Sequence, residues 1–146
     1  MIELPKGNSR LTEVFKAGDA GSSRDLKGEF YVDILTGLPS LRKLNHRKRI
    51  SIEKGDHRGF NTVFRKKKVF GHFKVEPDTC EELDSIKVIK LDYYVPENSF
   101  IMNRMIDRMR CIKRRKLYLG RYYLRLFGKH RFMGYFTLEK IPAADE

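Results

Sequence analysis

Along most of this chain apolar residues recur at every second position, in runs too short and too regular for anything but strands. Phe30, Val32 and Ile34 form one run, Ile50 and Ile52 a second, Val69, Phe73 and Val75 around Gly71 a third, and Ile89, Leu91 and Tyr93 a fourth. A period of two sends alternate side chains to opposite faces of a pleated strand, so each run has one face to bury. Turn-forming stretches punctuate the runs: TGLP at 36–39, KGDHRG at 54–59, EPDT at 76–79 and VPEN at 95–98. Segments 60–64 and 69–73 flank Arg65-Lys66-Lys67-Lys68, which predicts a hairpin with a basic tip. Such a tip serves solubility and guards strand edges, or contacts an anion.

Two segments leave the strand rhythm. Leu11, Val14 and Phe15 follow helical spacing behind Ser9, a candidate N-cap, and the pattern stops at Gly18. GDAGSS at 18–23 then reads as a linker. Segment 99–110, SFIMNRMIDRMR, places Ile101, Met105, Ile106 and Met109 at helical spacing behind Asn98 or Ser99. This predicts a second short helix whose apolar stripe packs on the sheet, although a basic amphipathic helix can also lie on an anionic membrane.

The stretch YLGRYYLRLFGKHRFMGYF at 118–136 reads as the last hairpin. With Gly128-Lys129-His130 as its loop, Leu126 opposes Phe132, Leu124 opposes Gly134, Tyr122 opposes Phe136 and Gly120 opposes Leu138. That face is wholly apolar, and each glycine meets a leucine, as in a curved strand pair. The other face pairs Arg121 with Thr137, Tyr123 with Tyr135 and Arg125 with Met133, and is expected to meet water. Most aromatics therefore part company with the cations, which weighs against a single-strand nucleic-acid surface, where rings stack beside basic groups.

A chain of 146 residues with 40% hydrophobic content fits one domain, with helix and linker over 1–24 and strands over 25–141. Cys80 and Cys111 stand in no metal-ligand spacing, so neither a zinc site nor a disulfide framework is expected. MIELPKGNSRLTEVF lacks the basic and apolar blocks of a signal peptide, and no apolar run is long enough for a membrane span, so a cytoplasmic location is expected. No histidine among His46, His57, His72 and His130 has a carboxylate and a nucleophile at a defensible spacing, and neither His57 nor His72 alone defines a haem site. Asp33 and Asp92 are the candidate buried acids.

Many short antiparallel strands with one apolar face suit a closed up-and-down β-barrel, which removes sheet edges. Here the chain resembles the lipocalin-like barrels of the calycin group. The resemblance lies in an N-terminal helix followed by Leu26-Lys27-Gly28-Glu29-Phe30, in the place of the family's G-x-W, and in arginines of the final strands, where the family packs an arginine across that aromatic. The chain has no tryptophan, so Phe30 substitutes, and Arg121, Arg125 and Arg131 are the candidates to cross it. The resemblance implies a barrel mouth holding one small apolar ligand, lined by Phe30, Val32, Phe73, Tyr118, Tyr122, Leu124, Phe132 and Phe136, with tyrosine hydroxyls for a polar end. The alternative is that these residues fill the barrel completely. Fatty-acid-binding barrels are similar in using Arg and Tyr on one strand face to hold a carboxylate. Arg121, Tyr123 and Arg125 share a face here, but parity sets it opposite the apolar one.

Net charge is +12, with basic clusters at 47–49, 65–68 and 113–116 against one acidic patch of Asp78, Glu81, Glu82 and Asp84. Such a field steers nucleic acid, anionic lipid or acidic protein toward the chain without naming which. Arg65, Lys66, Lys67, Lys68, Arg114, Arg115, Arg121 and Arg125 are the candidate anion contacts. The functional expectation is a non-catalytic barrel that binds a small apolar or amphipathic molecule without a cofactor. The alternative is an adaptor that meets nucleic acid or an anionic membrane through its basic tips.

Overall fold

The computed structural model describes residues 3–42, 44–53, 55–63 and 68–142. Eight antiparallel strands follow one another around a closed barrel: β1 (Gly28–Ile34), β2 (Arg47–Glu53), β3 (Asp56–Val63), β4 (Lys68–Cys80), β5 (Ile86–Asp92), β6 (Met105–Lys113), β7 (Leu117–Leu126) and β8 (Lys129–Lys140). Every strand pairs with its sequence neighbours, and β8 returns to β1 from Phe30↔Lys140 to Ile34↔Phe136, so the sheet closes on itself. Helix α1 (Asn8–Ala17) precedes the barrel, and a one-turn helix α2 (Pro39–Arg42) follows the TGLP signal between β1 and β2. This is the up-and-down architecture that the strand rhythm and the family resemblance imply.

The second short helix is therefore α2, and segment 99–110 is not helical beyond a 3-10 turn at Met102–Arg104. From Met105 it becomes β6. Ile101, Met105 and Met109 are spaced by four, and a spacing of four keeps side chains together under a period of two as well as under 3.6. The pattern was compatible with both. The strand wins because Ile106, Met109 and Cys111 are buried with Asp107, Arg108 and Arg110 between them, so both faces of the segment are covered.

EPDT also proves to be strand rather than turn. Pro77 sits inside β4, opposite Ile89 of β5. It is tolerated because β3 pairs with β4 only as far as Arg58↔Lys74, so beyond that point β4 has one partner and its other edge needs no donor. The reversal comes at Glu81–Ser85, where Asp84 and Ser85 both take positive φ.

The last hairpin turns at Phe127-Gly128, not at 128–130. Both residues have positive φ, as a tight primed turn requires, and Leu126 pairs with Lys129. Near the base Gly120 opposes Phe136 and Tyr122 opposes Gly134, then a bulge at Met133 makes Tyr123 the partner of Phe132. The bulge reverses parity on the β8 side. Phe132 consequently faces outside, and Met133 takes the inward place that simple alternation assigned to Phe132.

The outer face of β7 and β8 around Leu119, Arg121 and Tyr135 does not meet water, because α1 lies over it. Leu11 and Phe15 of α1 are fully buried against Leu119 and Tyr135, with Val88 and Cys80 completing this outer core. Arg110 fixes the end of the helix: its guanidinium donates to the carbonyls of Phe15 at 3.1 Å, Lys16 at 3.3 Å and Gly18 at 2.5 Å, and to Lys87 O at 2.7 Å. A cation on the unsatisfied carbonyls of a helix C-terminus is favourable both as a hydrogen-bond donor and against the helix dipole. At the other end Gly7, with φ of 90°, is the residue before the helix, and Ser9 lies inside it rather than capping it.

Arg121 belongs to this layer and is only 5% exposed. Its guanidinium lies 3.9 Å from the Phe132 ring centroid, donates to Tyr123 Oη at 2.8 Å and to Tyr135 Oη, and stands 3.6 Å from Glu82. Tyr123 Oη in turn donates to Glu82 at 2.6 Å. The Arg-x-Tyr pair thus holds a carboxylate, but it is the protein's own and lies outside the barrel. Arg121→Ala is expected to destabilise by about 2 kcal/mol, the scale of a charged hydrogen bond plus a desolvated cation–π contact. Thermal unfolding beside an Arg10→Ala surface control checks this.

Candidate functional site: the open half of the barrel

The barrel interior divides into a filled half and an open half. Leu26, Phe30, Ile50, Phe73, Val75, Ile89, Leu91, Met109, Tyr118 and Leu138 pack the half where β1 begins. Phe30 meets Tyr118 edge-on at 6.2 Å, and the cation over the Phe30 ring is Lys140, at 5.0 Å, not an arginine. Register explains this: Lys140 pairs directly with Phe30, whereas Arg121 and Arg131 pair with Tyr135 and Leu124 and Arg125 with His130, away from it.

The other half encloses a cavity of about 300 Å³. Its walls include Val32, Ile34, Tyr122, Leu124, Met133 and Phe136 from β1, β7 and β8, with Leu38, Leu41 and Leu44 from the β1–β2 connection and Ile101, Met102 and Met105 from the β5–β6 connection. Of the residues expected to line a site, Val32, Tyr122, Leu124 and Phe136 are brought together here. Phe30, Phe73 and Tyr118 lie in the filled half, and Phe132 lies outside. The Tyr122 hydroxyl does not point a free group at the cavity; it donates to Thr36 O at 2.8 Å and accepts from Leu38 N at 3.0 Å, tying down the rim. Gly37 is required at this rim, since at φ of 99° a Cβ would lie 1.9 Å from that hydroxyl.

Polar chemistry enters from residues the sequence reading did not single out. Lys48, 3% exposed, points inward from β2. Its ammonium donates to Asn61 Oδ1 at 2.7 Å and Tyr93 Oη at 2.5 Å and lies 3.4 Å from Asp107 Oδ2. Tyr93 Oη donates to Asp107 at 2.9 Å, and Asn61 Nδ2 donates to Gly71 O at 2.9 Å. The rings of Tyr93, Phe73 and Phe136 stand 5.2, 5.3 and 5.7 Å from the Lys48 nitrogen. Burial pulls the Lys48 amine down and pushes the Asp107 carboxyl up, while each charge opposes the other's shift. The Tyr93 phenol is driven well above its ordinary value by the same burial and by Asp107.

A signal for Lys48 was present. It precedes Ile50 and Ile52 by two and four, so the strand period alone turns it inward, but its neighbours Arg47 and Arg49 made the trio look like a surface cluster. Asp107 was hidden by the helical reading of 99–110. The acids singled out instead are not buried: Asp33 is exposed, and Asp92 is half-buried and accepts from Tyr94 N.

His46, two residues before Lys48, also lines the cavity. Its Nδ1 is buried and has no hydrogen-bond partner among the described residues, and its ring lies 5.8 Å from that of Phe70. Burial, with the Lys48 charge adding to it, lowers its pKa to about 3. The unfolded chain therefore takes up a proton near pH 6.5 that the folded chain refuses until about pH 3. Stability should fall as pH falls through this window, approaching about 1.4 kcal/mol per pH unit. Urea unfolding at about pH 7 and about pH 5.5 should show the loss in the native protein and a clearly smaller one in His46→Phe, which keeps the ring contact; what remains belongs to His130, whose pKa burial also lowers.

The candidate anion contacts scatter. Arg114 and Arg115 both bond Asp25, at 3.1 and 3.0 Å, on the surface. Arg125 donates to Asn103 O at 3.1 Å and lies 4.8 Å over the Tyr94 ring, Arg121 is buried under α1, and Lys68 is exposed at the start of β4. Arg65, Lys66 and Lys67 lie outside the described residues. No helix among the described residues is long and apolar enough to cross a membrane. Comparison with family models, with curated proteins and with solved structures gave no match to this chain.

Proposed function

We propose that this protein binds one small neutral amphipathic molecule, its apolar body in the open half of the barrel and its hydrogen-bonding head against His46 and the Lys48 cluster. The observation that carries this reading is an apolar-walled cavity of about 300 Å³ that contains one charge-balanced polar cluster and one unpartnered buried nitrogen. A pocket at the small end of the usual range with a few convergent polar groups suits a compact ligand. Charge balance selects its head. Lys48 and Asp107 already neutralise each other, so a ligand carboxylate would bring a second negative charge into apolar surroundings with no further cation among the described residues of the lining. A hydroxyl or carbonyl has no such cost and can satisfy His46. The reading is of a binder, since Lys48, Asp107, Tyr93 and Asn61 are engaged with one another. The barrel and the helix before it support kinship with the calycin group, with Lys140 standing where that group has arginine.

Native mass spectrometry of protein purified without denaturation, and displacement of an apolar fluorescent dye, test the proposal. A medium-chain alcohol should displace the dye at least about tenfold more effectively than the carboxylate of equal length. Met133→Trp, which fills the cavity from the bulge, should abolish dye binding while leaving the barrel folded. Failure of the native protein to bind, or binding unaffected by Met133→Trp, would show that the cavity is not the site.

A further inference from the structure

In an up-and-down barrel the ends of β1, β3, β5 and β7 and the starts of β2, β4, β6 and β8 lie together, and here that end is the mouth of the cavity. Among the described residues eight large apolar side chains are exposed, and seven belong to this end: Leu38, Leu44, Val69, Tyr94, Phe100, Ile101 and Phe127. Only Tyr31 lies elsewhere. Phe127 is 94% exposed, Phe100 72% and Ile101 71%. Folding alone gives no reason to concentrate such residues at one exposed end, where a polar residue would serve stability as well or better.

Their neighbours are cations. The Arg104 guanidinium lies 4.2 Å from the Phe100 ring centroid, and that of Arg125 lies 4.8 Å from Tyr94. Lys129 and Arg131 are exposed beside the Phe127 turn, and Lys68 precedes Val69. Aromatic and aliphatic tips backed by Arg and Lys match the boundary of an anionic bilayer, where rings and alkyl groups enter the headgroup region and the cations reach phosphate. A net charge of +12 supplies the attraction from a distance.

We propose that the mouth end docks on an anionic lipid surface, with Phe100, Ile101 and Phe127 inserting, so that the cavity opens toward the bilayer. This rests on the cavity-binding reading for its purpose but not for its evidence. Leu38, Leu44 and Ile101 both rim the cavity and face outward, giving a continuous apolar path between bilayer and interior. Nucleic acid fits the same charge but gives no use for aliphatic tips, because stacking needs rings and not Ile or Leu.

The full chain would be sedimented with phosphatidylcholine vesicles containing about a quarter phosphatidylserine, and with vesicles lacking it, at low and physiological salt. Binding is expected to the anionic vesicles only, weakened by salt, and reduced at least about tenfold in a Phe100→Ser/Ile101→Ser/Phe127→Ser variant. All three changes are at exposed tips, so unchanged thermal unfolding would show the variant folded, and a single Phe127→Ser substitution offers a milder version. Absence of binding to the anionic vesicles, equal binding by the variant, or tighter binding to single-stranded RNA under the same conditions would overturn the proposal. Dye binding measured without vesicles separates the two readings: an occupied cavity with no vesicle binding refutes docking alone, and vesicle binding with no dye uptake refutes the cavity reading alone.

Discussion

Phe136→Ala is expected to destabilise the protein by about 4 kcal/mol, in the middle of the range for a large aromatic truncated in a core. Phe136 is 2% exposed, meets Tyr122 at 6.3 Å and lies across Gly120, where even a Cβ would stand 2.2 Å from the ring. The ring therefore substitutes for the side chain that Gly120 lacks on the facing strand. Its removal leaves Gly120 uncovered and enlarges a cavity that is already open, so the surroundings have little to collapse onto. Arg125→Ala, which loses a half-exposed contact with Tyr94 and one hydrogen bond to Asn103, should cost about 1 kcal/mol or less. Denaturant midpoints of the two variants give the comparison directly. A Phe136→Ala cost near that of Arg125→Ala would mean that the closed barrel packing does not govern stability at this position.

Asp107→Ala should be comparably damaging, by about 3 to 5 kcal/mol, because it strands the Lys48 ammonium in an enclosure of rings. The variant should also acquire a diagnostic pH dependence. Without Asp107, burial alone acts on Lys48 and its folded pKa drops further below the unfolded value near 10.4. The unfolded chain then binds a proton that the folded chain does not, so stability rises with pH until it reaches that unfolded value. The native protein, with the pair intact, should show a shallower rise over the alkaline range. Replacing both partners, Lys48→Met with Asp107→Leu, removes the stranded charge and should recover most of the loss, since apolar groups of similar volume often replace a buried pair at little cost. Urea unfolding of the three proteins between about pH 7 and about pH 10 checks all of this. A single Asp107→Ala variant as stable as the native protein would show that Lys48 reaches solvent.

The alternation at 30–34, 50–52 and 89–93 identified strands and their inward faces without help from tertiary structure, because a period of two is a property of the extended backbone. Barrel closure was legible for a related reason: many short strands with one apolar face need some way to lose their edges. Reading stopped where a local pattern satisfied two geometries at once. The spacing of four between Ile101, Met105 and Met109 is neutral between helix and strand, and only pairing of Leu91 with Asp107 and of Tyr122 with Asp107 decided for β6. It stopped again where a single residue altered phase. The bulge at Met133 exchanges Met133 for Phe132 at the cavity wall, and a bulge is set by how two twisted strands fit rather than by the composition of one.

What the amino-acid order determined on its own was thus the alternation, most of the strand set and a net charge of +12. What tertiary structure alone decided was which charges are hidden. Arg47, Lys48 and Arg49 are adjacent and chemically alike, yet closure of the barrel turns Lys48 onto Asp107, 59 positions away in the chain, and leaves Arg49 outside. Parity sends Arg121 to water, yet it is dry because α1, which ends 104 positions before it in the chain, lies over it. Burial depends on what arrives from distant segments, and no local period carries that information.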